Sequence, residues 1–313
     1  MSEKLLTVSS SPHIRGTQTT QNLMRDVLIA LAPATVLSVM FFGVKALVLV
    51  VVGIATCVLA EYVTQKIMKK SITVTDMSAA VTGLLLALNM PINAPWWMLM
   101  IGCVFAIVIV KQLFGGIGCN FVNPALAARL LLVASWPTLM TGGAYLPADA
   151  VATATPLAIV KEGLSETVPS MMSLFLGGPD VYGCIGEVSA LALILGGLYL
   201  IFRKVMSWRI PVIYIGTVAL FSLIAGKDVM FNLLAGGLML GAIFMATDYV
   251  TSPSTPLGEI IYAVGCGLIT CIIRFYGGYP EGVSYSIILM NIATPLIDKF
   301  IRAKKYGEVK KNA

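Results

Sequence analysis

The chain has 313 residues, of which 58% are hydrophobic and 12% charged, with a mean hydropathy of +0.90. A soluble domain carries about 25% charged residues, so a water-soluble globule is excluded and an integral membrane protein is the class that remains. The net charge of +6 is not gathered into a basic block beside aromatics, which argues against nucleic acid, and the single histidine, His13, with six cysteines in no CxxC pair argues against a zinc or self-contained iron–sulfur site.

The first twenty residues are polar and hold no apolar run, so insertion is expected to use the first span rather than a cleaved signal. A helix crossing a bilayer needs about 20 mostly apolar residues. In chain order the candidates are 26–44, 46–64, 77–91, 95–113, 122–140, 185–202, 210–226, 229–247, 257–274 and 283–301. The organisation predicted from them is a tail over 1–25, a first five-helix unit over 26–140, a loop over 141–184, a second unit over 185–301 and a basic tail over 302–313. With a cytoplasmic N-terminus, only Lys45, Lys161, Lys227 and Arg274 fall on the outer face, and Arg129 lies inside the fifth span. The other Lys and Arg residues are cytoplasmic, which is the positive-inside pattern. Both termini are then cytoplasmic and the 141–184 loop is outside.

Two pairs of punctuation marks share one offset. Lys111-Gln-Leu-Phe-Gly-Gly116 and Ile273-Arg-Phe-Tyr-Gly-Gly278 are 162 residues apart, as are Pro91 and Pro253. Two five-span halves with an odd number of crossings enter the membrane from opposite sides, an inverted repeat of the kind found in transporters. The short third segment, ending at Pro91, and the eighth, ending in Met245-Ala-Thr-Asp-Tyr249, are the expected broken elements.

Ionisable residues at membrane depth are costly and mark functional candidates. Glu187, which begins the sixth segment, and Asp248, which ends the eighth, are the candidates for an ion pathway; each also reads as a boundary charge at the headgroups. Arg129, inside Ala-Leu-Ala-Ala-Arg-Leu-Leu-Leu-Val, needs an anion: a carboxylate, a phosphate or a lipid headgroup. Before the fifth segment, Asn120 and Asn123 precede Pro124, so Asn123 is a candidate helix cap, and the two carboxamides are candidates for binding a ring edge or an ion.

These residues together resemble a family. Asp76-Met-Ser-Ala-Ala-Val-Thr-Gly, Phe114-Gly-Gly-Ile-Gly-Cys-Asn-Phe-Val-Asn-Pro124, Gly186-Glu-Val-Ser-Ala-Leu, Phe244-Met-Ala-Thr-Asp-Tyr-Val-Thr-Ser-Pro253 and Gly277-Gly-Tyr-Pro-Glu-Gly282 resemble the D subunit of the Rnf electron-transport complex and the related B subunit of the sodium-translocating NADH:quinone oxidoreductase. The resemblance runs from about Met24 to Lys305. It implies an all-α integral membrane protein of the bacterial cytoplasmic (inner) membrane. It implies an electron-carrier subunit that couples ferredoxin:NAD⁺ oxidoreduction to Na⁺ or H⁺ transport. Its partners would be iron–sulfur and flavin subunits, a flavin transferase and the lipid membrane.

The resemblance also implies FMN esterified through its phosphate to a threonine, in a motif of the form Asp-x-x-Ser/Thr-Gly/Ala-Ala-Thr. Asp149, Ala154 and Thr155 match it; Ala152 and Thr153 depart from it, and Thr153 is the alternative acceptor. Small neighbours in an outer loop would leave the hydroxyl accessible to the transferase. On spacing alone Thr155 also reads as an ordinary helix cap before Pro156. A noncovalent riboflavin is implied in the membrane part, and the site expected for it is near Asn120 and Asn123. With no G-x-G-x-x-G after a strand and no P-loop, NADH and ferredoxin fall to partner subunits. Ten spans in inverted halves also resemble a urea-type channel or small-solute transporter without a redox role, and a scaffold subunit is a third reading.

Overall fold

The computed structural model describes residues 18–140, 155–162, 169–178 and 183–301. Among them the secondary structure is helical, and the only strand-like pairing is an isolated bridge between Pro91 and Cys184. The all-α expectation is therefore met. Three helices are long and apolar enough to cross a membrane by length and composition: Thr20–Phe42, Val44–Ile67 and Pro256–Tyr276.

Helix α1 (Thr20–Phe42) starts where the Thr19 side chain accepts from the Asn22 amide, and it stops at Gly43, whose φ of +69° only glycine adopts cheaply. Helix α2 (Val44–Ile67) begins at once, making a tight hairpin. Helix α3 (Ser78–Leu88) is only 11 residues long and follows Met77 at φ +63°. Its register against α2 is set by glycines: a Cβ on Gly83 would lie 2.5 Å from the Gly53 carbonyl oxygen. Small residues of this kind allow the close backbone approach that stabilises helix pairs in lipid.

Helix α4 (Trp96–Val104) continues as a π-helix over Phe105–Gln112. Helix α5 (Pro124–Ser135) is capped by Asn123, whose Oδ1 accepts from the Ala125 and Leu126 amides. The predicted fifth segment breaks at Trp136 and resumes as the short α6 (Pro137–Met140). Between α6 and the sixth segment, α7 (Pro156–Glu162) and α8 (Met171–Leu176) are short helices.

The second half departs from the predicted ranges in two places. The sixth segment opens with a 3₁₀ turn, Ile185–Glu187, and its helix proper is α9 (Ala190–Phe202). After α10 (Arg209–Ile224), the eighth segment is split: α11 (Val229–Leu234) ends, Ala235–Gly237 runs outside helix with Gly236 at φ +72°, and α12 (Leu238–Leu240) continues as a π-helix over Gly241–Met245. Consecutive small residues remove the side-chain packing that would hold a helix through this point. Helix α13 (Pro256–Tyr276) starts at a Thr255 cap with Pro256 in its first turn, and α14 (Val283–Phe300) closes the bundle. Across the halves α1 lies on α9, and within the second half α10 lies on α13. The α1–α9 contact is backbone to backbone, since a Cβ on Gly196 would meet the Ala30 carbonyl oxygen.

Candidate functional site

A cavity of about 430 Å³ opens at the end of the bundle where α1 begins. Leu23, Met24 and Val27 of α1, Val81 and Leu85 of α3, Leu200 of α9 and Phe244 make apolar walls. Ser78, Lys111, Asn120, Asn123 and Asp248 are among its polar lining, with hydroxyls from Thr20, Thr82, Thr247 and Tyr249. Short α3 and capped α5 both start at this cavity, so their first residues face it rather than water. The volume falls within the roughly 300–1,000 Å³ typical of small-molecule sites, and an apolar box with a few fixed polar groups is their usual chemistry.

The two asparagines have different occupations. Asn123 is fully engaged: Oδ1 caps α5 and Nδ2 donates to the Met245 carbonyl at 3.2 Å, tying the start of α5 to the end of the split eighth segment. Asn120 donates to the Val122 carbonyl at 3.1 Å. Asp248 is partly buried and accepts from the Thr251 hydroxyl at 3.2 Å.

Behind one wall stands a buried ion pair that spacing did not reveal. Lys111 Nζ lies 2.7 Å from Glu61 Oε1 and donates to Ser78 Oγ at 2.6 Å. Gln112 donates to the same Glu61 oxygen at 2.7 Å, and Glu61 Oε2 is buried without a hydrogen-bond partner among the described residues. Asp76 holds Ser78 in place by accepting from both its amide and its hydroxyl. Glu61 and Lys111 stood at the ends of two separate predicted segments, with nothing in their 50-residue separation to join them.

Deeper in the bundle, Arg129 finds its anion, and it is carboxylate. Its guanidinium donates to Glu281 Oε2 at 2.6 Å and to Asn89 Oδ1 at 2.6 Å, reaches Cys184 Sγ at 3.4 Å, and lies 3.9 Å from Glu187 Oε1. Glu187 Oε1 is buried with no hydrogen-bond partner among the described residues. This cluster lies where the end of α3, the turn before α9 and the Ala235–Gly237 break meet. The Ile185 amide donates to the Met90 carbonyl at 3.0 Å, and a Cβ on Gly237 would come within 2.8 Å of Glu187 Oε1. The broken third and eighth segments therefore do converge. Arg129 follows Asn123 by six residues on α5, about 9 Å along the helix. Asp248 and Glu187 are thus at different levels and are not brought together.

Thr155 is buried, caps α7 by accepting from the Ala158 amide at 3.3 Å, and precedes Leu157, which packs beside Gly236 at the break. Lys161 fastens α7 to the end of α13, donating to the carbonyls of Gly277 at 2.5 Å and Tyr279 at 2.7 Å. Thr155 is therefore at the opposite end of the bundle from the cavity. Asp149 and Thr153 lie outside the described residues. The expectation of an open, accessible acceptor needs correction for Thr155, whose side of α7 is turned inward.

An apolar helical bundle with a ligand-sized cavity at one end, a buried arginine–carboxylate cluster and helices long and apolar enough to span a bilayer defines an all-α membrane protein. Residues 7–307 match the NQR2, RnfD, RnfE family, and the chain belongs to that family. It is 58% identical to the D subunit of the Na⁺-translocating ferredoxin:NAD⁺ oxidoreductase complex of Acetobacterium woodii, over 100% of this chain and 99% of that protein. It is 46% identical to the D subunit of the proton-translocating ferredoxin:NAD⁺ oxidoreductase complex of Clostridium ljungdahlii, over 97% of each. It is 35% identical to the D subunit of the ion-translocating oxidoreductase complex of Halorhodospira halophila, over 97% of this chain and 96% of that protein. These relatives are components of oxidoreductase complexes, and none of the three is named as a channel.

Proposed function

We propose that the chain is the membrane electron-carrier component of an ion-translocating ferredoxin:NAD⁺ oxidoreductase complex, not a complete enzyme alone. The observation that carries this reading is full-length similarity to proteins so named, joined by a mostly apolar cavity in the size range of small-molecule sites. In this reading the bundle has ten spans in two inverted halves in the bacterial inner membrane, with both termini cytoplasmic. Supporting it, Lys70, Lys111, Arg203 and Arg209 make their contacts at the α1 end, whereas Lys161 makes its contacts at the other.

Two flavins belong to the proposal. Thr155 carries FMN as a phosphoester, for which its hydroxyl is the required group; Thr153 is the alternative. Because Thr155 is buried in the folded chain, a flavin transferase reaches it before α7 docks on α13. Riboflavin sits noncovalently in the cavity, held by the apolar walls and by Asn120, Lys111 and Asp248, while Asn123 shapes the cavity by capping α5. A flavin supplies one- and two-electron transfer, and the protein's part is to bind, orient and tune it. The remaining subunits provide the iron–sulfur and nucleotide sites.

Asp248 and Glu187 are the proposed ion-pathway carboxylates, one at the cavity and one in the Arg129 cluster. Their different levels suit successive stations rather than a single site. If ion transport in vesicles stays fully coupled to electron flow after replacement of either, that residue leaves the pathway.

Coexpression with a flavin transferase followed by a denaturing gel tests the covalent flavin. A fluorescent band is expected, lost in Thr155→Ala. A dark wild-type band removes the covalent reading, and a band that stays bright in Thr155→Ala moves the acceptor to Thr153.

A further inference from the structure

We propose that Lys111 is the residue that sets the reduction potential of the flavin in the cavity, by binding the reduced ring more tightly than the oxidised one. The inference rests on the riboflavin reading above. Three observations carry it. First, among the described residues Lys111 and Asp248 are the only charged ones lining the cavity, so Lys111 is its sole cation there. Second, an ammonium has three donors. Ser78 Oγ and Glu61 Oε1 take two, and the third has no acceptor among the described residues. Third, the lysine is buried, at 3% exposure, so its charge is poorly screened by water.

A reduced flavin ring at neutral pH carries negative charge over N1 and the adjacent C2 carbonyl, whereas the oxidised ring is neutral. A buried ammonium with a free donor therefore discriminates between them. No bond to Lys111 forms or breaks; its part is electrostatic and hydrogen-bonding. Glu61 opposes the effect: it pairs with the same ammonium and draws it away from the cavity. Gln112 limits that opposition by donating to the same Glu61 oxygen. The potential is then set by how Lys111 is shared between Glu61 and the ring, with Ser78 fixing the position from which it is shared.

The test uses the intact complex, loaded with riboflavin and titrated with dithionite under spectroelectrochemical control. Lys111→Met alone leaves Glu61 buried without a counter-charge and risks misfolding, so it is made in the Glu61→Gln background. Glu61→Gln alone is expected to raise the potential of the noncovalent flavin. Lys111→Met with Glu61→Gln is expected to lower it relative to Glu61→Gln. Each change should correspond to about tenfold or more in the ratio of oxidised to reduced dissociation constants, ~30 mV for a two-electron couple. Covalent flavin fluorescence and co-purification of the other subunits serve as folding controls. Opposite shifts in the two variants support the proposal, because a structural role for the pair would not give them. Riboflavin bound in the wild type with a potential indifferent to both variants overturns the role of Lys111 and leaves the cavity reading intact. A wild-type complex that takes up no noncovalent flavin overturns the cavity reading and this inference with it.

Discussion

Lys111 and Arg129 each lie in the first half of the chain, and each meets a carboxylate within hydrogen-bond distance, Glu61 at 2.7 Å and Glu281 at 2.6 Å. Each cluster also leaves one carboxylate oxygen buried without a partner among the described residues, Glu61 Oε2 and Glu187 Oε1. The clusters differ in the cation. Lysine is a point charge with rotatable donors, and here one is to spare at a cavity wall. Arginine is a planar fork, and here its donors join three separate pieces of chain: the end of α3, the turn before α9 and the loop before α14. A charge with a spare donor suits a ligand that changes charge. A charge spent on several elements suits a junction that must hold its shape.

The largest effect should come from removing the fork. Arg129→Met leaves Glu281 and Glu187 facing each other in a buried site, and breaking a buried pair costs about 3–5 kcal/mol. Loss of assembled complex in detergent, or a large drop in its unfolding temperature, is the expected readout. Normal assembly would show that the Arg129 cluster is no junction. The Lys111–Glu61 pair should behave differently, since both charges can be removed together. Lys111→Met with Glu61→Gln should cost much less than Arg129→Met, because neutral replacement of a whole buried pair is often near neutral. If the two cost the same in thermal unfolding, the contrast between the clusters fails.

Next in size is Asn89→Leu. It withdraws one acceptor from Arg129 and leaves a buried donor unsatisfied, a loss of about 1–3 kcal/mol. Asn123→Ala removes the α5 cap, worth about 1 kcal/mol, together with the link to Met245. Its noncovalent flavin content should fall more than its thermal stability does. The smallest stability change is expected for Lys161→Met, on the order of 1 kcal/mol for hydrogen bonds made at an exposed position. Its informative readout is the rate of flavin attachment, which should rise if α7 must undock for the transferase to reach Thr155. An unchanged rate would show that docking does not limit the modification.

Much of this is legible in the residues themselves. Every predicted apolar segment carries helix, and α1, α2 and α13 are long enough that length and hydropathy alone define them. The Asn123 cap is readable because capping is local. The need of Arg129 for an anion is also readable, since a guanidinium in an apolar run must be neutralised. What supplies the anion is not: Glu281 is 152 residues away, in a Gly-Gly-Tyr-Pro-Glu-Gly corner that carries no periodic signal. The pairing of Glu61 with Lys111 is hidden for the same reason, each resembling a boundary charge in its own segment. The split of the eighth segment escapes because Ala235-Gly236-Gly237 brings in no charged or strongly polar residue; small residues break a helix through backbone freedom, which an apolar run does not reveal. Glu187 and Asp248 look alike in the sequence, yet α5 sets them at different levels, a separation that only the three-dimensional path of the chain determines.

The contact between Gly196 and Ala30 has a mechanical consequence. Two helices that touch through their backbones have no side chains between them to compress, so they cannot approach or slide without collision, yet they can rock about the point of contact. The α1–α9 contact is therefore a fulcrum, with the cavity at one end of the lever and the docked α7 at the other.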